Sequence, residues 1–468
     1  MGLRRPASFV DLREVQGNVV RGYGHGFASY VFARVTDAPA GRRSIAALAD
    51  PVTTAEEWDE KPARTLNVAL SHDGLEALGV EPRVLATFPD EFRAGMAARS
   101  AQLGDAGRGQ PEHWEAPLRP GEVHVLLTVY GIDADERDRA AAGVREILDG
   151  PRSGLAHHAR LDAQTLEGAR EHFGFADGFA QPAILGDGRD VQAGQGIPGP
   201  SHPWSPPEDP DHRRSADGQT VWRSVRAGEF VLGYLDEDGR MPPAPAAPFD
   251  RNATFMVWRK LHQDVAGFRA MRRRWAEALG LAQDLVAAKI VGRWPDGTPL
   301  EVSPDAPDPE LMRSPARRND FGYSGDPVGL RCPRGAHVRR ANPRDALKGV
   351  GGTLTARHRI LRRGMPYGKR LPEHEAEDDG ADRGLVFVCL QASVARQFEI
   401  VQSQWCNDGN AFGLGRDVDA IAGTPGRPAR VTIEGRPPRY LAPLDAFTWA
   451  RGGEYLFVPS VSALRSFA

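Results

Sequence analysis

The sequence has little of what marks the common cofactor and export classes. Its 468 residues include three cysteines, at positions 332, 389 and 406. An odd number without CxxC spacing excludes a disulfide framework and a structural zinc site. Cys389 lies in an apolar run at 385–390 and reads as a small buried hydrophobe. No stretch approaches the roughly 18 apolar residues of a membrane span. Arg4 and Arg5 lack the apolar run an export signal needs, so the expected setting is cytoplasmic, with no membrane partner. Excess charge is missing too: 59 basic against 62 acidic side chains leave a net charge of −3, which argues against a nucleic-acid partner. There is no GxGxxG or P-loop pattern at a strand–helix junction. Residues 349–352 are glycine-rich without the GK[ST] ending and read as a turn. No fixed-period repeat is visible, which excludes solenoids and propellers.

What is present suits an ordinary globular protein, with 41% apolar and 26% charged residues in a chain long enough for two large domains. Residues 27–35, 66–70, 123–130, 229–234, 255–261, 384–390 and 455–458 are rich in Val, Leu, Tyr and Phe and read as strands. Residues 133–148 read as a helix ending at Gly150, and 92–99 as a pair of helical turns. Val265, Phe268, Met271, Trp275 and Leu279 recur at helical spacing up to Gly280, so their aromatic stripe is expected to be core. Ser393 is placed to cap a further helix carrying Val394, Phe398, Val401 and Trp405. Residues 186–220 are dense in Gly, Pro, Asp and Ser and include His202, Trp204, Pro206 and Pro207, a composition that marks a long loop. The expected division is a domain at 1–190, a connecting loop at 191–226 and a domain at 227–468. Irregular interleaving of strands and helices favours an α+β fold with two mainly antiparallel sheets.

Three separated segments carry chemistry. In Gly174-Phe175-Ala176-Asp177-Gly178, flanking glycines permit a sharp turn that brings a carboxylate close to a ligand, where it can carry a proton. In His337-Val338-Arg339-Arg340-Ala341-Asn342-Pro343, an imidazole suited to bind iron is followed by arginines that match the carboxylates of a haem. In Leu361-Arg362-Arg363-Gly364-Met365-Pro366-Tyr367-Gly368, a permanent positive charge can stabilise negative charge on a reacting oxygen. Spacing alone does not separate Arg362 from Arg359 and Arg363.

Together these segments resemble the dye-decolourising peroxidase family, in the larger branch that includes the fungal enzymes. GFADG resembles its Gly-x-x-Asp-Gly motif, HVRRANPR its histidine segment, and RRGMPYG the stretch after its distal arginine. The similarity extends to residues 16–19, 384–388 and 451–455. The resemblance implies two ferredoxin-like domains with peripheral helices and one haem b per chain between them. It implies His337 as iron ligand, with Arg339 also at the cofactor, Asp177 as the acid–base group and Arg362 as the distal charge. It further implies Leu385 and Phe387 as pocket lining, and a carboxylate that orients the histidine, with Asp419 ahead of Asp417 as candidate. The expected partners are hydrogen peroxide and a bulky aromatic reductant such as a dye or phenol, with an oligomer allowed. Turnover is expected to be better in acid than at neutrality. Two rivals remain open: a haem-handling protein with little turnover, and a cofactor-free interaction module on the same fold.

Overall fold

The computed structural model describes residues 10–198, 222–347, 353–373, 375, 377–424 and 429–468. Most of the expected connecting loop, with His202, Trp204, Pro206 and Pro207, lies outside the described residues, as does the whole glycine-rich turn at 349–352. The strands in chain order are β1 (Phe27–Val35), β2 (Arg64–Leu70), β3 (Val125–Gly131), β4 (Leu155–Gln164), β5 (Ile197–Pro198), β6 (Trp222–Arg223), β7 (Thr254–Gln263), β8 (Leu361–Arg362), β9 (Met365–Tyr367), β10 (Gly384–Gln391), β11 (Ala429–Ile433), β12 (Arg439–Leu444) and β13 (Thr448–Val458). Two antiparallel four-position units make up the main sheet. The first has the order β4-β1-β3-β2 and the second β13-β7-β10, with β8 and β9 sharing the last position beside β10. The units join edge to edge where Phe457 of β13 pairs with Leu70 of β2.

Alternation of side chains across the strands builds two cores that each cross this seam. One face buries Val31, Val68, Leu127, Val257 and Phe457, against helices Ala38–Ala47 and Ala134–Asp149. The other buries Tyr30, Phe32, Leu126, Trp258 and Leu456. Trp258 of β7 stands edge-on to Phe32 and Tyr30 of β1, with ring centroids 5.0 and 5.8 Å apart. The sheet therefore curls, and its far edges, β4 and β9, touch without registered pairing. β1, β3 and β7 are buried on both faces, which is why they read as continuous apolar runs.

Helix Val265–Leu279 is capped by Asp264, whose carboxylate accepts from the Gly267 amide at 2.7 Å. Its predicted stripe is core: Phe268 packs at 4.5 Å from Phe173 and 6.5 Å from Phe175, both in the loop that follows β4. Three expectations change. Residues 229–234 form turns rather than a strand. Phe230 and Val231 enter one core and Leu232 the other, so the run is apolar because it is buried, although Leu232 donates to Ala253 C=O (2.8 Å) and accepts from the Asn252 amide (3.0 Å). Residues 394–406 are helical, but in wide turns with i→i+5 bonds such as Glu399 N–H to Val394 C=O at 3.0 Å. The strand β4, with sequence LAHHARLDAQ, was not foreseen, because an edge position leaves most of it partly exposed and removes the apolar signal.

Phe457 is fully buried at the seam, with its ring 5.2–5.8 Å from those of Phe88, Phe249 and Phe255. Phe457→Ala is expected to cost about 3–5 kcal/mol of unfolding free energy, read from the shift of a urea transition.

Candidate functional site

The loop after β4 presents Asp177. Gly174 at φ +99° and Gly178 at φ +92° make the turn, which side chains with a Cβ adopt only under strain. Backbone bonds from the Ala176 amide to Pro295 C=O (3.0 Å) and from the Asp177 amide to Ala169 C=O (3.1 Å) fix it. Six residues upstream, Glu171 accepts from the amides of Phe173 (2.9 Å) and Phe175 (3.0 Å) and from Gln263 Nε2 at the end of β7 (2.6 Å).

Arg362, on β8, directs Nη1 to both carboxylate oxygens of Asp177, at 3.1 and 3.2 Å, and its own amide donates to Gln181 Oε1 at 2.9 Å. The two arginines that spacing could not separate from it point elsewhere. Arg363 donates to the carbonyls of Asn18 (2.7 Å) and Val19 (3.1 Å), and Arg359 reaches Gly196 C=O at 3.5 Å. Burial alone would raise the Asp177 pKa. The Arg362 charge and the Gly178 amide, which donates to Oδ1 at 2.6 Å, outweigh it and hold the carboxyl below the usual aspartate value.

Asp177 and Arg362 lie on the wall of a cavity of about 930 Å³. Leu385 and Phe387 line it as well, from one face of β10, while Val386 and Val388 on the other face are core. Both halves of the chain contribute: residues 18–26 and the loop after β4 from the first, β8 to β10 from the second.

His337 opens the short helix His337–Ala341. Its Nδ1 lies 2.9 Å from Oδ2 of Asp419, which is fully buried and whose Oδ1 accepts the amides of Ile421 (2.8 Å) and Ala422 (3.0 Å). Those bonds make Asp419 an acceptor, so Nδ1 carries the proton and Nε2 keeps its lone pair. Burial opposes charge on the imidazole, yet the Asp419 carboxylate prevails and raises the His337 pKa, while Asp419 itself is lowered. Asp417, the second candidate, is occupied by Arg430 Nε (2.9 Å) and the Thr432 amide (2.7 Å). His337 is not part of the cavity wall that holds Asp177, but the two charges act on one another.

Arg339 departs from expectation. It is buried over the Tyr323 ring and donates to Asp326 and to the Cys332 carbonyl (2.6 Å), so its guanidinium is consumed by the protein itself. Arg340 is likewise spent on the carbonyls of Gly335, Trp405, Asp408 and Asp417. Other arginines are better placed to meet an anion. Arg293, Arg344 and Arg359 act on one another's charge, and among the described residues none has a carboxylate at hydrogen-bond distance. Burial depresses all three pKa values, joined at Arg293 and Arg359 by the Arg344 charge, that of Arg359 to about 9, and among the described residues its buried Nη2 has no partner. Glu171, Gln181 and Arg293 had no signal in the sequence, since none belongs to a spaced motif, whereas Arg344 closes the HVRRANPR segment and Arg359 lies beside Arg362.

Known proteins resemble this chain along most of its length. Residues 14–165 match the DyP dimeric alpha+beta barrel domain and residues 289–424 the Dyp-type peroxidase C-terminal domain. The chain is 28% identical to the dye-decolorizing peroxidase msp1 of Mycetinis scorodonius, over 98% of this chain and 87% of that protein. It is 29% identical to the multifunctional dye peroxidase DyP2 of an Amycolatopsis species, over 86% and 82% respectively. A crystal structure of a fungal DyP-type peroxidase from Auricularia auricula-judae superposes with a TM-score of 0.81 at 25% identity, covering 98% of this chain and 99% of that one. An ancestral D-type dye-decolorizing peroxidase gives the same TM-score and coverage at 29% identity. With both halves matched in order and the likeness running through nearly the whole length, this chain belongs to the dye-decolourising peroxidase family, among its fungal relatives.

Proposed function

We propose that the protein is a haem peroxidase that uses hydrogen peroxide to oxidise dyes, phenolics and other bulky aromatic donors in one-electron steps. The observation that carries this reading is the Asp177–Arg362 pair on the cavity wall, a proton carrier beside a fixed charge. A solved dye-decolorizing peroxidase in complex with 2,6-dimethoxyphenol, 27% identical and with a TM-score of 0.81, supports the phenolic class of donor.

The residues present fit a haem b, one per chain. His337 offers Nε2 as ligand, because Nδ1 is committed to Asp419. Leu385, Phe387 and Met365 give apolar walls, and the unpartnered Nη2 of Arg359, with Arg293 and Arg344 nearby in charge, suits haem carboxylates. The bound haem supplies the redox-active iron at which peroxide is cleaved.

The chain's own part is proton and charge management. Asp177, ionised in mild acid, accepts the proton of one peroxide oxygen and delivers it to the other. Arg362 stays charged throughout and faces the negative charge that builds on the departing oxygen. Asp419 holds the imidazole in one tautomer and increases its basicity as a ligand.

The decisive experiment is the absorbance spectrum of the purified protein before and after hydrogen peroxide. A Soret band that shifts with peroxide and returns with a phenol is expected, and a protein that takes up no haem would rule the reading out. Asp177→Asn should slow the peroxide-dependent shift by about 10²–10⁴-fold in stopped-flow mixing. Because Arg362 lowers the Asp177 pKa, the rate should be sustained through mild acid and decline only below 3.8, the ordinary aspartate value. Asp419→Ala should weaken haem binding about 10–100-fold in a haem titration.

A further inference from the structure

Glu171 lines the same cavity as Asp177 but has no part in the proton transfer described above. Its surroundings are unusual for a carboxylate. It is held by three N–H donors and no hydroxyl: the amides of Phe173 and Phe175 and the side-chain amide of Gln263. The backbone closes the same turn, with the Glu171 amide donating to Phe175 C=O at 3.0 Å and the Gly174 amide donating to Glu171 C=O at 2.9 Å. A side chain that must satisfy only donors is best an ionised carboxylate, which accepts and never donates. A glutamine there turns an NH2 group toward N–H groups.

The three bonds also join separate parts of the chain. Phe173 and Phe175 lead directly into Asp177, and their rings pack on Phe268 of helix Val265–Leu279. Gln263 ends β7, one residue before the cap of that helix. One carboxylate thus ties the start of the distal turn to the corner where the second unit's sheet passes into its longest described helix. Apart from Glu171, the turn is held by the backbone bonds of Ala176 to Pro295 C=O and of Asp177 to Ala169 C=O, and by Arg362 on the carboxylate itself.

We propose that Glu171 is the positioning residue for the distal acid–base group: through Phe173, Phe175 and Gln263 it fixes the turn that presents Asp177 to peroxide. The inference rests on the peroxidase reading of Asp177. Retention of a carboxylate despite its cost agrees with such a role, since burial and the nearby Asp177 charge both raise the Glu171 pKa.

The test is a double-mutant cycle in the haem-loaded protein, following the peroxide-dependent Soret shift after rapid mixing. Glu171→Gln is expected to slow that shift about tenfold or more, a share of what general acid–base catalysis contributes. The resting Soret position and the KM for 2,6-dimethoxyphenol should stay as in the unmodified protein while kcat falls. In an Asp177→Ala background the same substitution should have no further effect, because Glu171 acts through Asp177. Gln263→Leu, which removes one of the three bonds, should give a smaller loss of the same kind and decides the matter if Glu171→Gln fails to take up haem. In the haem-free protein, amide hydrogen exchange at Phe173 and Phe175 should be faster in Glu171→Gln. An unchanged peroxide rate in Glu171→Gln, or an equal fold-loss with and without Asp177, would overturn the proposal. Failure of the underlying reading looks different: Asp177→Ala itself would react at the full rate, removing the assignment of Asp177 and this proposal with it.

Discussion

The ion pair between Asp177 and Arg362 joins residues 185 positions apart, one from a loop of the first half and one from a strand of the second. Its charges are partly enclosed in a cavity, where an isolated carboxylate would take up a proton and an isolated guanidinium would find no counter-charge. The pair exists only if the curled sheet brings β8 to the loop after β4. Trp258 against Tyr30 and Phe32 sets that curl, and Glu171 with Gln263 sets the loop. The chemistry of the site is in this sense a property of how two halves meet, since neither half carries both charges.

The pairing of His337 with Asp419 follows a different logic. His337 and Asp419 come from the same half, and the aspartate is wholly buried with each oxygen engaged. Buried acceptors of this kind specify a tautomer because the alternative leaves a charge unpaired. The basic group of Arg293, Arg344 and Arg359 is the reverse case: three buried cations that, among the described residues, have no carboxylate at hydrogen-bond distance.

The sequence made some of this legible and not the rest. Strands buried on both faces, such as β3 and β7, stood out because burial demands apolar residues throughout, and Asp177 stood out because its glycines are needed for the turn. Edge strand β4 gave no periodicity, and residues 229–234 gave a false one, since a buried turn is as apolar as a strand. Arg362 was ambiguous among three arginines because direction, not identity, separates them. Arg339 was misjudged for the same reason: its neighbours Asp326 and Tyr323 are folded against it from an earlier loop. Glu171 and Gln181 act through geometry that no local pattern encodes.

β13 occupies the middle of the main sheet and yet is made after every other described strand, ending at Val458. During synthesis the first unit must wait with the β2 edge bare, an apolar template open to wrong partners. The second unit waits as well, lacking the strand that flanks β7. Assembly of the cavity is therefore a late, long-range event, of the kind that makes folding slow. For a cell producing this protein, the β2 edge needs protection until the last described strand has been made and has found its place between β2 and β7.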